Sequence, residues 1–309
     1  FLAGLAPDLD VLIRSSTDPV LFLEYHRQFT HSLFFIPFGA LIVAALIFPL
    51  VRKYLSFQTT YVASFFGYAT HGLLDACTSY GTVLFWPFSN ERITWNNISI
   101  VDPLLTIPAL ILLAVAVKTN RRRFSFLAVG WIVSFLALGL VQYERALSSG
   151  LKLAQSRGHN AERMTLKPSF GNLILWKSIY QHGDSFYVDA IRAGHTLTWC
   201  PGESIKIFDY QYHLPDLEEN SQQREDIERF RWFSQDYLGF QGDKNLVTDV
   251  RYSMIPNQIT PMWGLIIDEQ QGKNEHAVWW ASRDLDDESL TLFKDMLFGH
   301  ECTATQNGE

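Results

Sequence analysis

The sequence predicts an α-helical polytopic membrane protein that continues into a soluble α+β domain. Three observations predict it. Four long uncharged stretches crowd residues 33–143. Charged residues make up only 18% of the 309, where a soluble domain carries about a quarter. The balance of charge also reverses along the chain: residues 1–149 hold 10 Lys+Arg against 8 Asp+Glu, and residues 150–309 hold 15 against 24. The expected domains are therefore 1–149, transmembrane and helical, and 150–309, soluble and α+β. An acidic second half makes nucleic acid an unsuitable partner, and three cysteines cannot staple a chain of this size.

The chain opens with FLAGLAPDLD, which reads as the end of an apolar segment entering a loop, so one more helix is expected upstream. Leu33–Val51, Tyr54–Leu74, Pro103–Val117 and Phe124–Tyr143 follow, with 19, 21, 15 and 20 uncharged residues. A helix rises about 1.5 Å per residue, so ~20 residues match a ~30 Å hydrocarbon core. About four transmembrane helices are predicted on that basis. Arg52 and Lys53 lie in the first connection, and Lys118, Arg121, Arg122 and Arg123 in the third. By the positive-inside rule these face the cytoplasm, and everything after Tyr143 lies outside.

In the tail, LILWKSIY, SFYVDAIR, GLIIDEQ and HAVWWASR read as strands. HLPDLEENSQQREDIERFRWFSQDYLG and Asp286–Phe298 read as helices. Cys200 and Cys302 both fall here and can pair if the domain is exported. Cys77, beside a predicted membrane helix, reads as a free apolar residue. Asn97-Ile98-Ser99 has the form of a glycosylation sequon.

The ionisable residues of the first half gather at one expected level. His71 and Asp75 are four apart and share a helix face, about 27 Å and about 33 Å along a helix that begins at Lys53. Asp8 and Asp10 follow the apolar start, His26 and His31 precede the first stretch, and Asp102 opens the third. Ionisable groups at membrane depth are costly and commonly functional. Imidazole with carboxylate suits Zn, Mn or Fe better than Ca, and six ligands are enough for one or two ions with a position left for water. Each piece also has a plainer reading. PDLD makes a turn and helix cap. His71 and Asp75 make a hydrogen-bonded pair within a bundle. Asp102 before Pro103 makes an N-cap with Pro at N1. HECTA at residues 300–304 lacks the second histidine of a zinc-protease motif, and neither GxSxG nor a P-loop occurs.

APDLDVL, DPVLFLEYHRQFTHSL and HGLLDACTSYGTVLFWPFSNERITWNNISIVDPLLT together resemble the YdjM/YbcI-like family of bacterial inner-membrane predicted metal-dependent hydrolases. The pattern is PDxD, HRxxTHS and HxxxDxxTxYGT, then Pro-Phe-Ser and a late Asp-Pro, in this order and over about residues 1–145. The resemblance implies metal ligands at Asp8, Asp10, His26, His31, His71 and Asp75. It implies Arg27 as a bidentate donor to a phosphate or carboxylate. Thr30, Ser32, Thr78 and Tyr80 are implied as supporting or substrate-binding groups, with Gly81 at the turn that follows. The family pattern usually begins with an upstream helix carrying an early Thr-His, which these residues lack.

The expected function is a multi-pass protein of the bacterial inner membrane with its tail periplasmic or extracellular. A divalent metal, Zn or Mn, one or two ions, would activate water against an ester or phosphoester in a membrane-lipid or envelope-derived substrate. Arg27 would steady the developing negative charge, and Asp75 or Asp10 would serve as base. The alternatives are a transporter or metal-handling protein, and a scaffold with a structural metal.

Overall fold

The computed structural model describes residues 1–300 and 303–304. In chain order the helices are α1 (Leu2–Leu5), α2 (Leu21–Tyr25), α3 (Ile36–Val51), α4 (Phe57–Ala76), α5 (Pro103–Thr119), α6 (Arg123–Ser156), α7 (Tyr210–His213), α8 (Gln222–Phe233) and α9 (Asp287–Phe298). Short 3-10 turns cover Pro7–Leu12 and Phe29–His31. The strands are β1 (Arg163–Pro168), β2 (Leu175–His182), β3 (Ser185–Ala193), β4 (Leu197–Cys200), β5 (Ser204–Lys206), β6 (Leu238–Gln241), β7 (Leu246–Asp249), β8 (Trp263–Ile266), β9 (Val278–Ala281) and β10 (Thr303–Ala304).

Four membrane-spanning helices are not what these residues form. Among the described residues one helix, α6, is both long and apolar enough to cross a membrane. The expectation failed because it counted missing charges, which is a weaker condition than apolarity. α4 has the length, at 20 residues, but carries Gln58, Thr59, Thr60, Ser64, Thr70, His71 and Asp75. Its buried positions Thr60, Ser64, Tyr68, Gly72 and Ala76 make a seam at i, i+4 spacing. α3 and α5 are apolar but short. Their 16 and 17 residues rise about 24–26 Å, less than the ~30 Å core. α3 together with Leu21–His31 passes the same test only as a pair bent by 85°.

The chain folds as two compact units that interleave along the sequence: Phe1–Trp95 with Asp216–Asp236 and Ile267–Trp279, and Asn96–Pro215 with Tyr237–Ile266 and Trp280–Glu309. The change of composition at 149/150 falls inside α6 and does not coincide with a boundary between them.

In the second unit α6 is one continuous helix of 34 residues. Its first half is mostly exposed and apolar, whereas Gln142, Ala146, Ser149, Gly150, Leu153 and Ala154 are buried. Gln142 Nε2 donates to the carbonyls of Leu173 and Ala193 at 2.9 and 2.7 Å, which seats this half on an antiparallel sheet ordered β1-β2-β3-β4-β10, with β5 also on β3. A second sheet runs β6-β7-β8-β9. The strands expected around residues 173–192 are β2 and β3, and the expected final helix is α9. The long helix expected over 213–239 shortens to α8 because Ser221 caps it, accepting from Arg224 N. The sequon is not presented to solvent: Asn97 is buried and its Nδ2 donates to the Leu136 carbonyl at 3.1 Å. Cys200 is buried on β4, and Cys302 lies outside the described residues.

In the first unit α1 and α3 pack on α4 through Ala3, Ile36, Ala40, Val43 and Tyr68. α8 packs on α2 through one arginine. Arg229 reaches Glu24 Oε1 at 2.6 Å, Asp18 Oδ2 at 2.9 Å and Asp226 Oδ1 at 3.3 Å. Asp226, fully buried, also accepts from Ala277 N and meets His276 Nδ1 at 2.9 Å. Removing one partner from such a buried network leaves uncompensated charge. Arg229 is part exposed and only Asp226 is fully buried, so Arg229→Ala is expected to cost about 1.5–3 kcal/mol, read as a lowered midpoint in denaturant unfolding of the detergent-solubilised protein. An unchanged midpoint would refute this account of how α8 is held.

Candidate metal centre

The site begins with a buried carboxylate. Asp10 lies in the 3-10 turn after α1, and its side chain is 0% exposed. A buried carboxylate must find donors, and Asp10 finds four. Its Oδ1 meets His26 Nδ1 at 2.7 Å. Its Oδ2 accepts from Arg27 N at 3.0 Å and from Thr30 Oγ1 at 2.7 Å, and meets His31 Nδ1 at 3.1 Å. The segment 26–31 is therefore wrapped round one side chain. The wrapping needs a left-handed residue, and Arg27 supplies it at φ 63°, a conformation costly outside glycine and frequent at functional sites. Arg92 holds the same segment from behind. Its Nη2 donates to the Gly81 carbonyl at 2.8 Å and to the His26 carbonyl at 3.4 Å. Gly81 has φ 94°, so the turn after α4 calls for glycine as expected.

With Nδ1 turned to Asp10, His31 presents Nε2 to a cluster made with α4. His71 is turned likewise: its Nδ1 lies 2.6 Å from the Gly4 carbonyl. A carbonyl only accepts, so that nitrogen carries a proton and Nε2 is the nitrogen whose lone pair a cation would take. The two Nε2 atoms stand 3.1 Å apart. Asp75 Oδ2 is 3.1 Å from His31 Nε2 and 3.4 Å from His71 Nε2, and Asp8 Oδ1 is 3.5 and 3.3 Å from them. One ligand atom each from Asp8, His31, His71 and Asp75 lies within 4.8 Å of the others. The His31 side chain is 0% exposed, while that of Asp8 is 49% exposed, so the cluster is open on one side.

The remaining residues implied by the resemblance sit around this group. Arg27 Nε is 3.2 Å from Asp75 Oδ2, and Nη1 donates to Thr78 Oγ1 at 2.9 Å. Thr78 Oγ1 in turn donates to the Asp75 carbonyl at 2.7 Å. The Tyr80 ring lies under the Arg27 guanidinium at 5.0 Å and beside His26 at 5.5 Å. Thr30 Oγ1 donates to Asp10 Oδ2 and is also 3.0 Å from His31 Nδ1, so hydroxyl and carboxylate orient that ring together, and Ser32 caps a turn by accepting from Phe35 N. Asp10 and His26 pair with each other outside the four-ligand group. Asp102 is in the other unit and caps α5, accepting from Leu104 N and Leu105 N at 3.0 and 3.2 Å. The sequence reading did not find Arg92 or the Gly4 carbonyl, which no side-chain pattern marks.

A divalent cation fits this donor set. Asp75 Oδ2 is buried and meets no donor at hydrogen-bond geometry, although three nitrogens surround it. Two imidazole lone pairs face each other beside it, which is repulsive unless a proton or a cation stands between. Both imidazoles have their outer nitrogens fixed by an acceptor, the usual support of metal-binding histidine. Burial alone would lower the His71 pKa, but Asp75 and Asp8 outweigh it and hold it up at about 9. Hydrogen bonds to His31 and His71 hold the Asp8 carboxyl well below its usual range.

Residues 1–146 match the family model described as "YdjM inner membrane protein". A curated relative, "Uncharacterized protein YfhP" of Bacillus subtilis (strain 168), is 23% identical over 192 residues. That alignment covers 62% of this chain and 57% of the relative, so the chain spans little more than half of the protein it matches. No solved structure matches.

The close approach of the 26–31 segment to α4 depends on Gly72. A Cβ there would stand 2.3 Å from the His31 carbonyl oxygen. Gly72→Ala is therefore expected to displace His31 and lower metal affinity about 10–100-fold, as loss of a supporting contact does, with every ligand present. Isothermal titration with zinc checks this; parental affinity would show that His31 is not positioned by that contact.

Proposed function

We propose that this YdjM-like membrane protein is a metal-dependent hydrolase of an ester or phosphoester, with one divalent cation held by Asp8, His31, His71 and Asp75. The observation that carries the reading is the convergence of these four ligand atoms, two of them imidazole nitrogens already turned inward by Asp10 and Gly4. A bound Zn or Mn ion would supply a Lewis acid and a water acidic enough to attack at neutral pH. A purely structural site is normally closed by its ligands. Here the exposed side at Asp8 leaves room for water and substrate, which favours the catalytic reading over the scaffold one.

The residues of the chain have distinct tasks in this reading. Asp10 holds His31 in its tautomer. Arg27, fixed between Asp75, Thr78 and Tyr80, places a permanent positive charge beside the ligands, where negative charge develops on the attacked group. Asp75 has a second oxygen available to take a proton from the attacking water. Leu5, Leu9 and Leu12, near Asp8 in sequence, are exposed, and exposed leucines there suit a lipid or other envelope-derived amphiphile. Lys118, Arg121, Arg122 and Arg123 precede the apolar half of α6. By the positive-inside rule they favour a cytoplasmic start for α6 and an extracytoplasmic sheet after it.

Metal analysis of the purified protein, followed by hydrolysis assays on ester and phosphoester panels, tests the proposal. His71→Ala and Asp75→Asn are expected to lose the metal and at least about 100-fold in rate. Full metal content in both variants would end the ligand assignment. The metal should also bind more tightly as pH rises. Below about 9 His71 is protonated without the metal, and binding must expel that proton. Each pH unit from 6 to 8 should then strengthen binding by about tenfold per proton released. A flat dependence would contradict the pairing of His71 with Asp75 and Asp8.

A further inference from the structure

We propose that His26 is the proton donor to the leaving group in this hydrolysis and not a metal ligand. The inference rests on the hydrolase reading above and assigns a role that the reading leaves empty. Four observations carry it. His26 lies outside the group of ligand atoms that converge within 4.8 Å. Its Nδ1 is committed to Asp10 Oδ1 at 2.7 Å, so an accepting carboxylate fixes the ring and its tautomer. Its Nε2 has no hydrogen-bond partner among the described residues, and the side chain is 23% exposed, so this nitrogen is open to solvent and substrate. Its ring centroid is 6.1 Å from that of His31 and 5.5 Å from Tyr80, whose ring also carries the Arg27 guanidinium. His26, Tyr80 and Arg27 thus form one wall beside the ligands.

Asp10 is what makes the two histidines different. One carboxylate oxygen turns His31 so that Nε2 faces inward to the cluster. The other turns His26 so that Nε2 stays outside it. A buried carboxylate that orients an imidazole is the usual support of a histidine acting in proton transfer. In the step, the oxygen of water bonds to the phosphorus or acyl carbon and the bond to the leaving oxygen breaks. His26 enters the step as the imidazolium, its Nδ1–H on Asp10; the Nε2 proton passes to that oxygen, which departs as an alcohol, and the neutral ring is left with its proton on Nδ1. Water gives up its own proton to a carboxylate of the site, and His26 is reprotonated from solvent through its exposed edge. The sum is ester plus water giving acid plus alcohol.

The experiment compares His26→Gln with the parent in two ways. In the first, both proteins are loaded with zinc, the metal is counted, and the parent is treated with diethylpyrocarbonate and mapped by mass spectrometry. The expected result is equal metal content, with His26 modified in loaded protein while His31 and His71 are protected. Loss of metal in His26→Gln, or protection of His26 by zinc, makes it a ligand and overturns the inference. In the second, phosphate and carboxylate esters are each assayed with a p-nitrophenyl and with an alkyl leaving group. General acid catalysis contributes about 10²–10⁴-fold, and an activated phenolate needs little of it. His26→Gln should therefore lose about 10²–10⁴-fold on the alkyl esters and less than about tenfold on the p-nitrophenyl ones. Equal losses on both, or none on either, overturn the inference while the parent remains an active hydrolase. A parent that hydrolyses none of the panel overturns the hydrolase reading and takes this inference with it.

Discussion

The first unit depends on the burial of one carboxylate. Asp10 is out of water, and an ionised carboxylate there is tolerable only with its lone pairs occupied. The occupants are two imidazoles, a hydroxyl and a backbone amide, all drawn from residues 26–31. Satisfying Asp10 therefore folds that segment, forces Arg27 into a left-handed conformation and gives His26 and His31 opposite orientations. The cluster with His71 and Asp75 then follows from where α4 runs. Gly72 sets how near α4 can come.

The same unit contains a second gathering of the same residue types, and the contrast is instructive. Asp18, Asp226 and His276 also bring three ligand atoms within 4.8 Å of one another. There, however, the Arg229 guanidinium bonds to Asp18 and Asp226 as well as to Glu24. The cation is already present as part of the chain, and the network ties α8 to α2. At Asp8, His31, His71 and Asp75 the guanidinium of Arg27 meets Asp75 Oδ2 at 3.2 Å and pairs with none of the other three residues. Acidic and imidazole groups collect at both places, but only one of them lacks a fixed positive charge at its centre. That difference separates a structural clamp from a candidate cofactor site.

Much of the candidate site was legible from types and spacing. Histidine at 71 and aspartate at 75 share one face of a helix, and α4 is the helix that the stretch suggested. PDLD and HRQFTH were visible as ionisable groups beside apolar sequence. Their division of labour was not visible. Asp8 and Asp10 are two residues apart in the same turn, yet one faces the opening and the other the interior, because a 3-10 turn brings i and i+3 into line and sets i+2 aside. The membrane assignment failed for a separate reason. Thr60, Ser64 and Tyr68 are uncharged, so α4 looked like a span, but they form its packed seam. Pro103 and Ile36 begin helices that end too soon.

By itself the sequence determined which chemistry is available to this protein: imidazoles and carboxylates in ordered motifs, long uncharged stretches, and a later region of strand-forming segments. These are local properties, set by residue type and by the spacing that a single helix or strand imposes. Tertiary structure alone decided which nitrogen of each histidine looks inward and that a backbone carbonyl at Gly4 steadies His71. It also decided that Arg229 neutralises one cluster and leaves the other open. Those outcomes depend on contacts between residues up to 211 positions apart, and the free energy of burying a polar group depends on what meets it there, which no local pattern records.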